Sequence, residues 1–258
     1  MSDPKTAALE ALIEAHATEL KLPTVKRRFR ALAAETLREQ QTPIAYLAAL
    51  LEAEHQERAE RRERRRLIDA RFPIIKRLEE FRFDDNPKVP QATIAALAEC
   101  SWIDDRESVI FHGESGSGKT HLATALALCA CHQGRRVRFT TLAALANELQ
   151  EAESRKELGR VVGRYARTEL VCLDELGYLA LPDGAAELVF QVISERNERG
   201  SLIVTTNLPF GEWTKVFPDP RLAKAVVDRI THKAHIIDTG TESWRFRHGL
   251  QRQGRKRA

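Results

Sequence analysis

Hydrophobic positions recur at helical spacing over the first 70 residues and at strand spacing after residue 108. Leu9, Leu12, Ile13 and Leu20 follow the helical period behind Asp3-Pro4, an N-cap followed by proline at the first helical position. Val25, Phe29, Leu32 and Thr36 share one face of a second helix starting near Pro23, whose other side carries Lys26, Arg27, Arg28 and Arg30. Thr42-Pro43 opens a third helix that runs through Leu47, Leu50 and Leu51 into an arginine-rich stretch. The period breaks at Phe72-Pro73. The text FPIIKRLEEFRFDDNPKVP holds three prolines and no sustained pattern, which predicts a linker over 71–90 that lies on the domain after it.

Beyond a short helix at Gln91–Ala98 the chain alternates. Val109–His112, Arg136–Thr140, Leu170–Asp174, Leu202–Thr206 and Ala234–Ile237 read as strands. Segments 119–132, 142–151, 154–166, 185–197 and 222–232 read as helices, with Asp183 placed to cap the fourth. Strand–helix alternation predicts an α/β fold, a parallel sheet flanked by helices, here preceded by a small all-helical domain over 1–70.

Composition adds little to that division until it is read by position. A 43% hydrophobic content supports a real core. The net charge of +4 is modest, yet residues 58–66 hold six arginines, and the stretch from Arg245 to the end holds six Lys/Arg and no acid. Such clusters suit a polyanion such as nucleic acid, or are a solvated helix face and a tail. Cys100, Cys129, Cys131 and Cys172 form no CxxC pair and match no zinc spacing, so they read as reduced thiols. No run of eighteen apolar residues and no secretory leader pattern is present, which predicts no membrane span and a cytoplasmic location.

Residues 113–120 read GESGSGKT, a full match to GxxxxGK[ST], between a predicted strand and a predicted helix. Gly113, Gly116 and Gly118 let the backbone turn tightly, so that N–H groups of Glu114, Ser115 and Ser117 converge on phosphate. The helix that follows, through His121, adds its positive N-terminal end. Lys119 supplies a charge for the β- and γ-phosphates of ATP, and Thr120 a hydroxyl for Mg²⁺. The partner site is LVCLDE at 170–175. Asp174 ends a buried strand where it can hold the metal's shell, and Glu175 can polarise the attacking water. The acid pair favours water as nucleophile, hence ATP hydrolysis. Asn207, ending the strand Leu202–Thr206, either places that water or only forms a turn before Leu208-Pro209. Trp102 and Ile103, just before the first strand, either touch the base or join the core.

A second surface carries charge. Lys156, Arg160, Arg164 and Arg167 fall at steps of four, four and three, while Leu158, Val161, Val162 and Tyr165 occupy other positions. Ser154 and Glu157 match a capping box, so one helix is predicted to show an apolar side to the core and a basic side to DNA phosphates or to solvent.

The combination FPIIKRLEEF, GESGSGKTHLA, RVRFTT, LDELGYL, IVTTNLPFGEW, VVDRITHKAHII and ESWRFRH resembles the IstB/DnaC-like AAA+ ATPases, in particular the IstB-type helpers of insertion-sequence transposition, over about residues 1–248. The resemblance implies an AAA+ core over 91–248 with little or no C-terminal lid, leaving 249–258 as a basic tail. It implies ATP-dependent binding of duplex DNA, assembly into a homo-oligomer, and recruitment of a transposase. The alternative is a helicase loader whose partner is a protein ring. It also implies that the basic helix lies in a DNA-tracking insert. Arg229, in VVDRI, matches an arginine finger acting on a neighbour's nucleotide, with Arg221 as its competitor and Arg245 as a second sensing arginine.

Overall fold

The computed structural model describes residues 3–178, 180–182 and 184–241. The chain divides into two compact units, 1–65 and 66–258. The boundary falls inside a helix, a few residues before the end of the helical region predicted over 1–70.

The first unit holds α1 (Pro4–Glu19), α2 (Pro23–Arg38) and most of α3 (Pro43–Ala70). Asp3 caps α1 by accepting from Lys5 N–H. Leu22, at the N-cap of α2, has no side-chain acceptor to offer. Glu54 of α3 takes that role, accepting from the N–H groups of Thr24 and Val25 at 2.8 and 3.1 Å. The core of this unit is small: Ala17, Val25, Phe29 and Leu50, with Leu22, Leu32 and Tyr46 against it.

The second unit is a five-stranded sheet in the order β2–β3–β4–β1–β5, every neighbouring pair parallel. Its strands are β1 (Ser108–His112), β2 (Val137–Thr141), β3 (Leu170–Leu176), β4 (Ser201–Thr206) and β5 (Ala234–Asp238). Pleating sends alternate side chains to opposite faces. Val109, Phe111, Cys172 and Ile203 enter one apolar cluster, with α4 (Gln91–Ala98) and α6 (Lys119–His132). Ile110, Val171, Leu173, Leu202 and Val204 enter the other, with α7 (Leu142–Ser154), α8 (Leu158–Ala166), α9 (Ala185–Arg196) and α10 (Pro220–Thr231). A sheet covered on both faces explains why its strands read as continuous apolar runs. A further short helix, α5 (Ser101–Asp104), carries Trp102 and Ile103 into the core, at 3% and 5% exposure. Of the two roles open to them, the structure shows the one in the core.

The helix predicted over 154–166 begins only at Leu158, and the helix predicted over 142–151 runs on to Ser154. Ser154 ends α7, and its hydroxyl donates to Glu151 O instead of capping a new helix. Lys156 adopts a left-handed φ of 59°, Lys156 N–H bonds Glu153 O, and Glu157 N–H bonds Ala152 O. That closing pattern satisfies the last carbonyls of α7. Glu157 then becomes the N-cap of α8 without a side-chain cap bond, so the expected capping box does not form. Asp183, the expected cap of α9, lies outside the described residues, and Gly184 occupies the N-cap.

Candidate active site

The phosphate loop joins β1 to α6 at the C-terminal edge of the sheet, where strand ends and a helix N-terminus converge. Its base is clamped by residues distant in sequence. Glu114 N–H donates to Gly240 O at 2.9 Å, and Gly113 N–H to Thr206 O at 3.2 Å. The hydroxyls of Ser117 and Thr239 meet at 2.6 Å, and Asn86 Nδ2 donates to Ser117 O and Thr239 O at 3.0 and 2.9 Å. Gly113 is required here, because a Cβ would lie 2.4 Å from Thr239 Oγ1 and 2.7 Å from Gly240 O. Gly118, at φ 97°, leaves room for the Phe81 ring, which a Cβ would meet at 2.7 Å. Lys119 Nζ folds back onto Gly113 O and Glu114 O at 2.7 and 2.8 Å, closing the loop around the place a phosphate would take. His121 Nε2 meets Arg77 O at 2.8 Å, and its ring stands edge-on to Phe81.

The loop and the acid pair meet. Thr120 Oγ1 donates to the Asp174 carboxylate at 3.0 and 3.2 Å. Asp174 is 5% exposed, whereas Glu175 is open to solvent. In a regular strand two consecutive residues face opposite sides. Here the β3–β4 register passes from Leu173↔Val204 to Leu176↔Thr206, so Asp174 and Glu175 together oppose Thr205 alone. Glu175 takes a left-handed φ of 60°. This bulge turns both acids into the same cleft, at a backbone cost of about 1–2 kcal/mol.

The cleft measures about 620 Å³. Asn207 lines it, and Asn207 Oδ1 is buried with no hydrogen-bond partner among the described residues. The stretch expected to be a linker forms one wall: Pro73, Ile74, Lys76, Phe81 and Asn86 line the cleft, and Phe72, Leu78, Phe81 and Phe83 pack on the core. Sequence reading missed this wall, since the only signal was apolar residues without a period. It also missed Thr205, whose hydroxyl bonds both Asp174 and Glu175 N–H.

Arg229 is not part of the cleft. It lies on α10, stacked 4.5 Å from the Phe190 ring centroid, donates to Ala225 O, and lines a separate cavity of about 380 Å³. Arg221 is exposed at the start of α10, and Arg245 lies outside the described residues.

Lys156, Arg160, Arg164 and Arg167 are all exposed, and Val161, Val162 and Tyr165 are buried beneath them. Only Arg160 and Arg164 lie within α8; Lys156 sits in the preceding turn and Arg167 at the C-cap. Arg164 pairs with Glu148 at 2.6 Å, and Arg160 with Glu157 at 3.3 Å. Burial pushes the Glu148 carboxyl up, but Tyr165 O–H and the nearby Arg164 and Arg138 hold it below the usual carboxylate range. Beneath the end of α8, Arg196 is 1% exposed and donates to the carbonyls of Tyr165, Thr168, Glu169 and Ser201. Burial pulls its guanidinium down to about 10. Arg196 thereby ties the last turn of α8 to the start of β4.

A parallel sheet of this order, with a phosphate loop after β1 and a bulged acid pair on β3, defines a P-loop ATPase of the AAA+ class. Its nucleotide is ATP. The chain belongs to the IstB-like ATP binding protein family, whose model matches residues 15–252. It is 37% identical over 243 residues to a protein of Sinorhizobium fredii named for an insertion sequence and for ATP binding, covering 94% of this chain and 82% of that one. A similarly named protein of Geobacillus stearothermophilus is 33% identical over 235 residues, covering 91% and 94%. The fold is shared with AMPPCP-bound DnaA from Aquifex aeolicus at a TM-score of 0.55 and 17% identity, over 71% of this chain and 56% of that one. Among the described residues, no helix is long and apolar enough to cross a membrane.

Proposed function

We propose that this protein is an ATP-dependent DNA-binding regulator of transposition, which assembles on duplex target DNA and recruits or stimulates a transposase. The observation that carries the ATP-driven part is the meeting of Thr120 with Asp174 beside a bulge-turned Glu175. The transposition part is supported by relatives named for insertion sequences.

The Thr120 hydroxyl and the Asp174 carboxylate suit Mg²⁺, which takes few protein oxygens and keeps places for phosphate and water. Bound there, Mg²⁺ would neutralise charge on the β- and γ-phosphates. Lys119 neutralises the same phosphates, and the loop N–H groups orient them. Glu175 accepts a proton from water, and Asn207 holds that water in line. Arg229 serves a neighbouring subunit, consistent with its place outside its own cleft. Turnover then depends on assembly.

The basic face over 156–167 contacts DNA backbone without reading sequence. Gly159 is exposed on it, with nothing within 4 Å of a Cβ built there, so internal packing does not require a glycine. A bare backbone between cations admits close approach of a phosphate. The first unit, residues 1–65, serves the transposase, DNA or a neighbouring copy.

Phosphate release measured with and without duplex DNA and the transposase of the same insertion sequence tests the reading. Stimulation by DNA and co-purification of the transposase are expected. Capture of a hexameric helicase in place of the transposase would favour the helicase-loader alternative.

A further inference from the structure

The bulge on β3 poses a problem that the acid pair cannot solve by itself. Two residues of β3 stand against one residue of β4, so one backbone N–H of β3 loses its regular ladder acceptor. That donor is Glu175 N–H, and it is satisfied by a side chain: Thr205 Oγ1 accepts from it at 3.0 Å. The same hydroxyl donates its proton to Asp174 Oδ1. Thr205 is 2% exposed. One buried oxygen therefore fixes the backbone of one acid and the carboxylate of the other.

The chemistry restricts what can stand at position 205. The group must accept from an N–H and donate to a carboxylate at once, which a hydroxyl does and a methyl does not. It must also be short, because it lies on the neighbouring strand directly opposite the bulge. Asp174 is held from two sides, by Thr120 from the phosphate loop and by Thr205 from β4. Glu175, at φ 60°, lacks a regular strand partner at this point. Residues that orient ligating carboxylates from behind set their geometry without touching the ligand.

We propose that Thr205 is the positioning residue of the hydrolytic site: its hydroxyl locks the β3 bulge so that Asp174 and Glu175 both face the nucleotide. This rests on the reading of Glu175 as the base and deepens it. Thr205 sets the orientation of the acids, whereas the phosphate loop sets ATP affinity, so its loss separates turnover from binding.

The test compares Thr205→Val, which keeps shape and removes the hydroxyl, with Thr205→Ser, which keeps the hydroxyl and removes a methyl. Five quantities are read on the full chain with duplex DNA: kcat, KM, the Kd for a fluorescent ATP analogue in EDTA, the Mg²⁺ concentration for half-maximal enhancement of that binding, and the thermal midpoint. Thr205→Val is expected to lower kcat about 10- to 100-fold, to leave the metal-free Kd within about threefold, and to raise the Mg²⁺ concentration for half-maximal binding enhancement. Thr205→Ser is expected to keep kcat within about threefold of the parent. If Thr205→Val does not fold, Thr205→Ala against Thr205→Ser isolates the hydroxyl, and the same kcat ratio is expected.

Parental kcat in Thr205→Val, or in Thr205→Ala, overturns the proposal. So does equal loss of kcat in the Ser and Val variants, which would assign the effect to packing. Glu175→Gln serves as the control. If it turns over like the parent, the base assignment itself fails. If it is inactive while Thr205→Val is fully active, only the role of Thr205 fails.

Discussion

The two units solve the problem of holding helices in opposite ways. Residues 66–241 bury two apolar layers on either side of a sheet, and large side chains such as Trp213, Phe111 and Phe217 are sealed from solvent. Residues 3–65 bury four apolar side chains, and charge holds much of the rest. Glu54 caps α2 from α3, Glu57 accepts from Thr24, Arg27 and Arg61, and Arg30 reaches Glu10 and Glu14 on α1. Meanwhile Leu9, Leu12, Leu20, Ile44 and Leu47 stay more than half or about half exposed. The lesson concerns where rigidity is needed. Acids and phosphate loop must agree to within fractions of an ångström, so they are built on strand ends under a deep core. The helical unit keeps open apolar faces and a polar scaffold, a composition suited to meeting other surfaces.

The sharpest break in that comparison is at Lys119. Lys119→Ala is expected to weaken ATP binding about a hundredfold or more, the scale of losing charge-assisted phosphate contacts, with the melting of both units unchanged. Titration calorimetry beside a thermal melt checks it. Next is Glu54. Glu54→Ala leaves the N–H groups of Thr24 and Val25 without their acceptor, at a cost of about 1–3 kcal/mol. Amide exchange should accelerate in α2 and α3 while the sheet keeps its protection. Equal acceleration in β1 and β4 would show that the two units share one stability.

Smaller effects sharpen the picture. Neutralising Lys156, Arg160 and Arg164 together should lower the slope of log affinity against log salt by about 1 per cation that meets phosphate, measured by fluorescence anisotropy on duplex DNA. The ion pairs of Arg160 and Arg164 with Glu157 and Glu148 reduce that number below three. The smallest effect is acid sensitivity. Hydrogen bonding from Thr24 and Arg61, with Arg27 nearby, holds the Glu57 carboxyl down at about 2, below its ordinary 4.5. A depressed carboxylate stabilises the fold above the ordinary value. Its contribution is lost as pH falls from about 4.5 toward 2. Exchange in α2 should rise across that window, and Glu57→Gln should reduce the rise, leaving the part due to Glu54, whose carboxyl is also held below its ordinary value.

What the sequence revealed follows the range of each signal. The phosphate loop, Asp174 and the five strands were legible because each rests on neighbours in the chain. The break between α7 and α8 was legible, but its position, at 155–157 instead of 152–153, was hidden: Ser154 and Glu157 have the letters of a capping box, but Lys156 turns left-handed and closes α7 instead. The bulge was hidden too, because it exists only in the register of β3 against β4, and Thr205 gains its role only there. The wall made by Pro73, Ile74 and Phe81 escaped because residues packed one by one onto another surface leave no period.

The central claim is that the phosphate loop and the strand-end acids enclose one Mg–ATP. ATP affinity of the parent and of Asp174→Asn, each measured with Mg²⁺ and with EDTA, tests it most directly. The account predicts that Mg²⁺ tightens ATP binding in the parent and no longer does so in Asp174→Asn, while the EDTA values agree. Identical tightening by Mg²⁺ in both proteins would contradict it.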